Sequence, residues 1–263
     1  MRTPVLIVAL FLTLGVVAED ELPSGADLCD RAEAAIGDAK KIAAIETIAT
    51  QVKVTYKNMG AMEGTMNEYF ARPMKACRKT NFAQMGEMLE GTDGKVFWEI
   101  NPMQGPTVHS GNAKVLKEHD YASKLMVPWR EIYKEAKCLG VTKVGDSDCY
   151  KVELTPKEGR KEICYYDKET MLTRKVELIF DEPMSGQQLP IELIFDDYRP
   201  VNGIKHAFKV RVKVSVMDIE WEYTSIKHNA KLPAGVFDLP SVIRKAAKGT
   251  DSSKKPKAKP QDQ

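Results

Sequence analysis

The segment FKVRVKVSV, residues 208–216, decides the fold class. Phe208, Val210, Val212, Val214 and Val216 alternate with Lys209, Arg211, Lys213 and Ser215. Successive side chains on a strand point to opposite faces, so period two gathers every apolar residue on one side. IEWEYT, residues 219–224, repeats the pattern with Ile219, Trp221 and Tyr223. Working outward, Val52, Val54 and Tyr56 alternate with Lys53 and Thr55. Met66 and Phe70, then Val96, Trp98 and Ile100, then Tyr150, Val152 and Leu154 do the same, and Leu172, Val176, Leu178 and Phe180 follow it less regularly. Turn signals separate these runs, among them Asp93-Gly94, Gly145-Asp146, Glu158-Gly159 and Asn202-Gly203. Short connections favour antiparallel neighbours. Asp196-Asp197 falls in a strand pattern, where adjacent residues face opposite ways, so it forms no acid/base pair.

Helical spacing is confined to a few places. Leu28, Ala32, Ala35 and Ile36 predict a helix over 26–36, with Ser24 as its cap. Gly37 interrupts it, and Asp38 restarts a helix to about Glu46. Residues 113–121 are a further helix candidate. The fold class is therefore mainly β (α+β): a large antiparallel sheet that must curl to hide its apolar face, with short helices as covers.

The chain has 263 residues, 39 Lys+Arg against 37 Asp+Glu, and 43% hydrophobic residues. That composition is globular, with enough length for a core. Residues 5–17 carry no charge, follow Arg2, and lead to Val16 and Ala18 before an acidic start. This pattern predicts a signal peptide over 1–18 and an exported, periplasmic protein; no cysteine lies at the cleavage point, the first being Cys29, so a lipoprotein anchor is not expected. The body, 19–243, is expected to be one domain. Residues 244–263 hold seven basic and two acidic residues, a net +5 that leaves the body at −4. An acidic body excludes nucleic-acid binding through a basic fold. The Lys/Pro-rich tail is expected to be disordered, making at most a peripheral membrane contact.

Nothing in the sequence marks a catalytic centre, a metal site or a cofactor. The five cysteines (Cys29, Cys77, Cys138, Cys149 and Cys164) contain no C-x-x-C, and their odd number leaves at least one outside any intramolecular pair. Pairing Thr155 with Arg160 places Cys149 opposite Tyr166 and two residues from Cys164, so a bridge needs a bulge or a shifted register. His109, His119, His206 and His228 show no metal spacing, and Glu118-His119-Asp120 reads as a solvated helix end.

Several local patterns, in order, carry a resemblance. They are Ala35-Ile36-Gly37-Asp38-Ala39 with Ile45-Glu46-Thr47, the stretch DGKVFWEINPMQG (93–105), DCYKVEL (148–154), FDDYR with VNGIK (195–205), and Val236-Phe237-Asp238-Leu239-Pro240. Together they resemble the LolA-like and LppX-like superfamily of periplasmic outer-membrane lipoprotein-sorting proteins. The resemblance implies an incomplete β-barrel under lid helices, and a carrier holding acyl chains of lipids or lipoproteins in an apolar cavity. The candidate lining residues are Met66, Phe70, Trp98, Leu178, Phe208, Val210, Val212 and Trp221, with Met103 at the mouth. Twelve methionines suit an adaptable lining. An envelope sensor or scaffold binding a protein partner is the alternative, and an unrecognised hydrolase comes last.

Overall fold

The computed structural model describes residues 22–58, 60, 62–181 and 187–252. Two helices, α1 (Gly25–Ile36) and α2 (Ala39–Ala43), precede six strands: β1 (Thr47–Tyr56), β2 (Met62–Ala71), β3 (Lys75–Phe82), β4 (Gly86–Thr92), β5 (Phe97–Asn101) and β6 (Gly105–Val108). Helices α3 (Gly111–Lys124) and α4 (Trp129–Ile132) follow. Seven more strands complete the sheet: β7 (Tyr133–Val144), β8 (Ser147–Pro156), β9 (Glu162–Asp167), β10 (Thr173–Asp181), β11 (Gln188–Val201), β12 (Ile204–Val214) and β13 (Met217–His228). Helix α5 (Ser241–Ser252) ends the described chain. Among the described residues no helix is long and apolar enough to cross a membrane.

Local chemistry places the ends of these elements. The Ser24 hydroxyl accepts from the Asp27 amide and opens α1; the Asp38 carboxylate does the same for α2 through Lys41. Asn202 and Gly203 both have positive φ, 52° and 81°, which suits the tight β11–β12 turn.

All thirteen strands form one antiparallel sheet in the order β6-β5-β4-β3-β2-β1-β13-β12-β11-β10-β9-β8-β7. It is two meanders joined by the β1–β13 pair. Strands β6 and β7 are the free edges, so the sheet is open, and α3 and α4 carry the chain from one edge to the other. The sheet also curls. Lys117 on α3 pairs with Glu90 on β4, while His119, two residues on, bonds Glu162 on β9. Eight strand spacings separate β4 from β9, about 40 Å on a flat sheet. A helix about 10 Å across reaches both only if the sheet wraps around it.

Three clusters fill the concave face. Leu28, Cys29 and Ala32 of α1 pack on Val152, Leu154, Cys164 and Tyr166. Tyr121 of α3 and Leu125, which caps its C-terminal end, pack with Ile48, Phe70 and Phe97. At the far end Val52, Val54, Met66, Phe82, Val210 and Val212 close on one another with no helix between them. Helix α1 lies against the sheet through Gly25: a Cβ there would sit 2.4 Å from the Ala136 backbone on β7.

Several expectations need correction. The helix from Asp38 is one short turn-and-a-half, because the chain becomes extended at Thr47. Strand β12 ends at Val214; Val216 lies in the following turn and is 80% exposed. In β5 the alternation fails because both faces are covered, Phe97 against Tyr121 and Trp98 on the opposite side. Strands β3, β4, β6 and β7 carry no clean alternation and were not anticipated. The β8–β9 register is shifted by one, pairing Cys149 with Asp167 and Val152 with Cys164. Cys149 and Cys164 therefore occupy opposite faces, and all five cysteines are free thiols. The expected tail begins inside α5; the rest of it and the signal segment lie outside the described residues.

Gly25→Val forces α1 away from β7. The expected loss is about 1–3 kcal/mol, the usual cost of overpacking, read as a lower urea midpoint at unchanged m-value.

Candidate functional site

Where α1, α3 and α4 stand off the sheet, a cleft of about 350 Å³ remains. Ligand sites for small molecules start at about this size. The sheet side supplies Ile48, Phe70, Leu178, Leu193, Val210 and Trp221; the helices supply Ala32, Ile36 and Leu116, and the α3–α4 connection supplies Val127. Polar groups enter the wall at Glu33, His119, Asp120, Lys124, Glu162 and His206.

Behind one wall, where Thr50, Asp120 and Lys124 line the cleft, lies a buried network of charges. Glu68 on β2 is wholly inaccessible; its carboxylate accepts from the Thr50 hydroxyl and from Arg78 Nε, both at 2.7 Å. Arg78 on β3 also pairs with Glu90 on β4 and, at 3.1 Å, with Asp120 on α3. Lys117 closes the circuit on Glu90. Burial alone would raise the Glu68 pKa, but Arg78, Lys124 and the two hydrogen bonds lower it below the ordinary value. Glu90 is likewise opposed by burial and held at about 2 by Lys117 and Arg78. Glu68 and Glu90 are thus held as carboxylates by their cationic partners.

Lys124 ends α3 and reaches into the same cleft. Among the described residues its one side-chain hydrogen bond runs to the Tyr223 hydroxyl, at 2.6 Å. The ammonium lies 5.0 Å from the Tyr223 ring centre and 5.7 Å from that of Trp221. Burial disfavours its charge, but Tyr223, Glu68 and Asp120 outweigh burial and raise its pKa.

At the opposite wall His119 Nδ1 lies 2.7 Å from one Glu162 oxygen, and the Tyr133 hydroxyl donates to the other at 2.7 Å. Cys29 Sγ lies 3.7 Å from the Tyr166 hydroxyl, and burial pushes this thiol up to about 11, far from a reactive thiolate. His206 and His228 face each other, Nε2 to Nε2, at 2.9 Å. Burial, His228 and Lys124 push His206 down to about 4; burial lowers His228 as well. The pair is neutral at pH 7. Among the described residues no group of three or more His, Cys, Asp or Glu could hold a metal.

The nine expected lining residues separate. Phe70, Leu178, Val210 and Trp221 line the cleft. Met66 and Val212 belong to the filled far-end cluster, with Phe208 packed against it. Trp98 is buried on the other face of β5 from Phe97, which stacks on Tyr121 of α3. Met103 is 84% exposed in the β5–β6 turn. Sequence reasoning missed Glu68, Arg78, Lys124, Glu162 and Tyr223. It also misread Glu118-His119-Asp120: Glu118 pairs outward with Lys114, but His119 and Asp120 turn inward to different strands. A signal existed. Lys117, Asp120 and Lys124 recur on one helical face, although polar residues at that spacing normally mark the solvated side.

No protein-family model and no curated protein sequence matches this chain. Solved structures do share its fold. A DUF1329 family protein from Desulfovibrio piger aligns with TM-score 0.56 at 15% identity, covering 82% of this chain and 98% of that one. A LolA superfamily protein from Nitrosomonas europaea aligns with TM-score 0.54 at 14% identity, over 83% and 99%. A candidate outer membrane lipoprotein-sorting protein domain from Vibrio parahaemolyticus aligns with TM-score 0.53 at 14% identity, over 81% and 96%. At these identities the likeness is one of fold, and it is the open, helix-covered sheet that the sequence resemblance implied.

Arg78→Met leaves Glu68 buried without a charge partner and is expected to cost about 3–5 kcal/mol. Lys53→Met, which breaks the exposed Lys53–Glu63 pair, leaves the denaturation midpoint nearly unchanged. The histidine pair has its own pH window. Below pH 6.5 the unfolded chain takes up protons that the folded pair refuses, so stability falls as pH drops from 6.5 towards 4. His206→Gln is expected to flatten that slope in thermal melts, while the loss below pH 4.5, which belongs to carboxylates such as Glu90, persists.

Proposed function

We propose that this chain is an exported, non-catalytic carrier that shelters the acyl chain of a lipid or lipoprotein in the cleft under α1, α3 and α4. The observation that carries the reading is the cleft itself: a space of about 350 Å³ left between helices and a sheet whose strands otherwise close into a filled core. Each methylene moved from water into such a site contributes roughly 0.8 kcal/mol. No covalent step is needed, and the carboxylates of Glu68, Glu90 and Asp120 beside the cleft are engaged with Arg78. The uncharged run at 5–17 supports export, and the shared fold with lipoprotein-sorting structures supports the envelope as the place of work.

A protein partner is the second reading, favoured by β7. Helix α5 packs against the edge strand β6; α1 covers the edge strand β7 around Ala136, but further along β7 exposes Leu139 and Val141. An extended segment adding to that edge would use main-chain hydrogen bonds.

The first test is to purify the chain from a bacterial envelope, denature it, extract it with organic solvent and identify lipids by mass spectrometry. About one lipid per chain is the expected result. A lipid-free protein that also fails to bind fluorescent fatty-acid probes would sink the carrier and leave the partner reading. Leu178→Trp, which narrows the cleft, is expected to weaken probe binding about tenfold or more without changing the far-UV spectrum.

A further inference from the structure

The cleft does not treat its two ends alike. We propose that its ligand is an amphiphile with an anionic head, and that a carboxylate or phosphate oxygen of that head docks on Lys124 Nζ and the Tyr223 hydroxyl. This inference rests on the carrier reading above.

An ammonium group has three donors. Lys124 uses one, on Tyr223 at 2.6 Å, and makes no ion pair among the described residues. The Tyr223 oxygen accepts that bond, and its own proton meets no acceptor among the described residues. The nearby carboxylates are committed elsewhere. Glu68 is held by Thr50 and Arg78, Asp120 by Arg78, and Glu162 by His119 and Tyr133. A charged donor cluster with bonds to spare therefore faces the cleft between the rings of Trp221 and Tyr223. Lys124 is only partly buried, so water can meet its spare donors until a ligand enters, and an anionic oxygen is the acceptor that replaces that water best. His206, in the same wall, is bonded to His228 and adds no negative charge. From this end the wall continues through Val210 and Leu178, which gives an attached alkyl chain somewhere to lie.

The probes are dodecanoate, dodecyl phosphate and methyl dodecanoate, with acetate as a head without a chain. Each is titrated by calorimetry into the delipidated full chain and into Lys124→Met and Lys124→Arg variants. The expected result is that one of the two anions binds at least about tenfold tighter than the ester, and the stronger of them names the head. Lys124→Met should bring that anion down to the level of the ester, while Lys124→Arg keeps most of the preference. Equal binding of anions and ester by the unsubstituted chain overturns the head-group assignment and leaves the carrier intact. If none of the alkyl probes binds, the carrier reading falls and this inference with it. Binding of acetate as tight as that of dodecanoate also overturns it, since the chain would then contribute nothing. The unsubstituted chain's anion-to-ester ratio decides the matter even if Lys124→Met fails to fold.

Discussion

The guanidinium of Arg78 ties the sheet to the helix that covers it. Within one side chain it meets Glu68 on β2, Glu90 on β4 and Asp120 on α3. Three carboxylates around a rigid, always-charged fork fix both distance and direction, which a single lysine would not. This junction holds α3 over the concave face. On the far side His119 and Glu162 hold the same helix to β9. The curl of the sheet, the position of α3 and the space beneath it are therefore one geometric fact with polar causes.

The apolar face has two outcomes along its length. Where strands from both meanders approach directly, Val52, Met66, Phe82 and Val210 interdigitate and leave no room. Where α3 and α4 intervene, the ion pairs keep the helix at a set height, and packing between helix and sheet is incomplete. The same alternating residues thus become core at one end and cleft lining at the other. Val210 does both, lying in the filled cluster and on the cleft wall.

How much of this was legible can be argued from particular residues. The alternation at 208–214 placed β12 correctly, and Asn202-Gly203 placed its turn. It overran at Val216 because the turn takes that residue out of the sheet. Strands β3 and β4 hid because their inward positions are the polar partners, Arg78 and Glu90, which a hydrophobic pattern counts as outward. The same alternation singles out Phe70, Leu178, Val210 and Trp221, which stand on the cleft wall, and Met66 and Val212, which lie in the filled cluster; they differ only in what stands opposite them. Lys124 was passed over, since a lysine at a helix end reads as solvated.

The class of structure is written locally in the chain: period-two runs divided by turn residues admit little besides an antiparallel sheet, and the order of the local motifs pointed to an open barrel under helices. Those are local properties, carried by backbone geometry and near neighbours. The cleft, the charged wall and the cation within it were decided only by tertiary structure. They depend on residues far apart in the chain, such as Glu68 and Asp120 around Arg78, or Lys124 and Tyr223, meeting once the sheet has curled. No periodicity encodes that meeting, because it depends on which strands lie beneath a helix and how closely the helix can approach them.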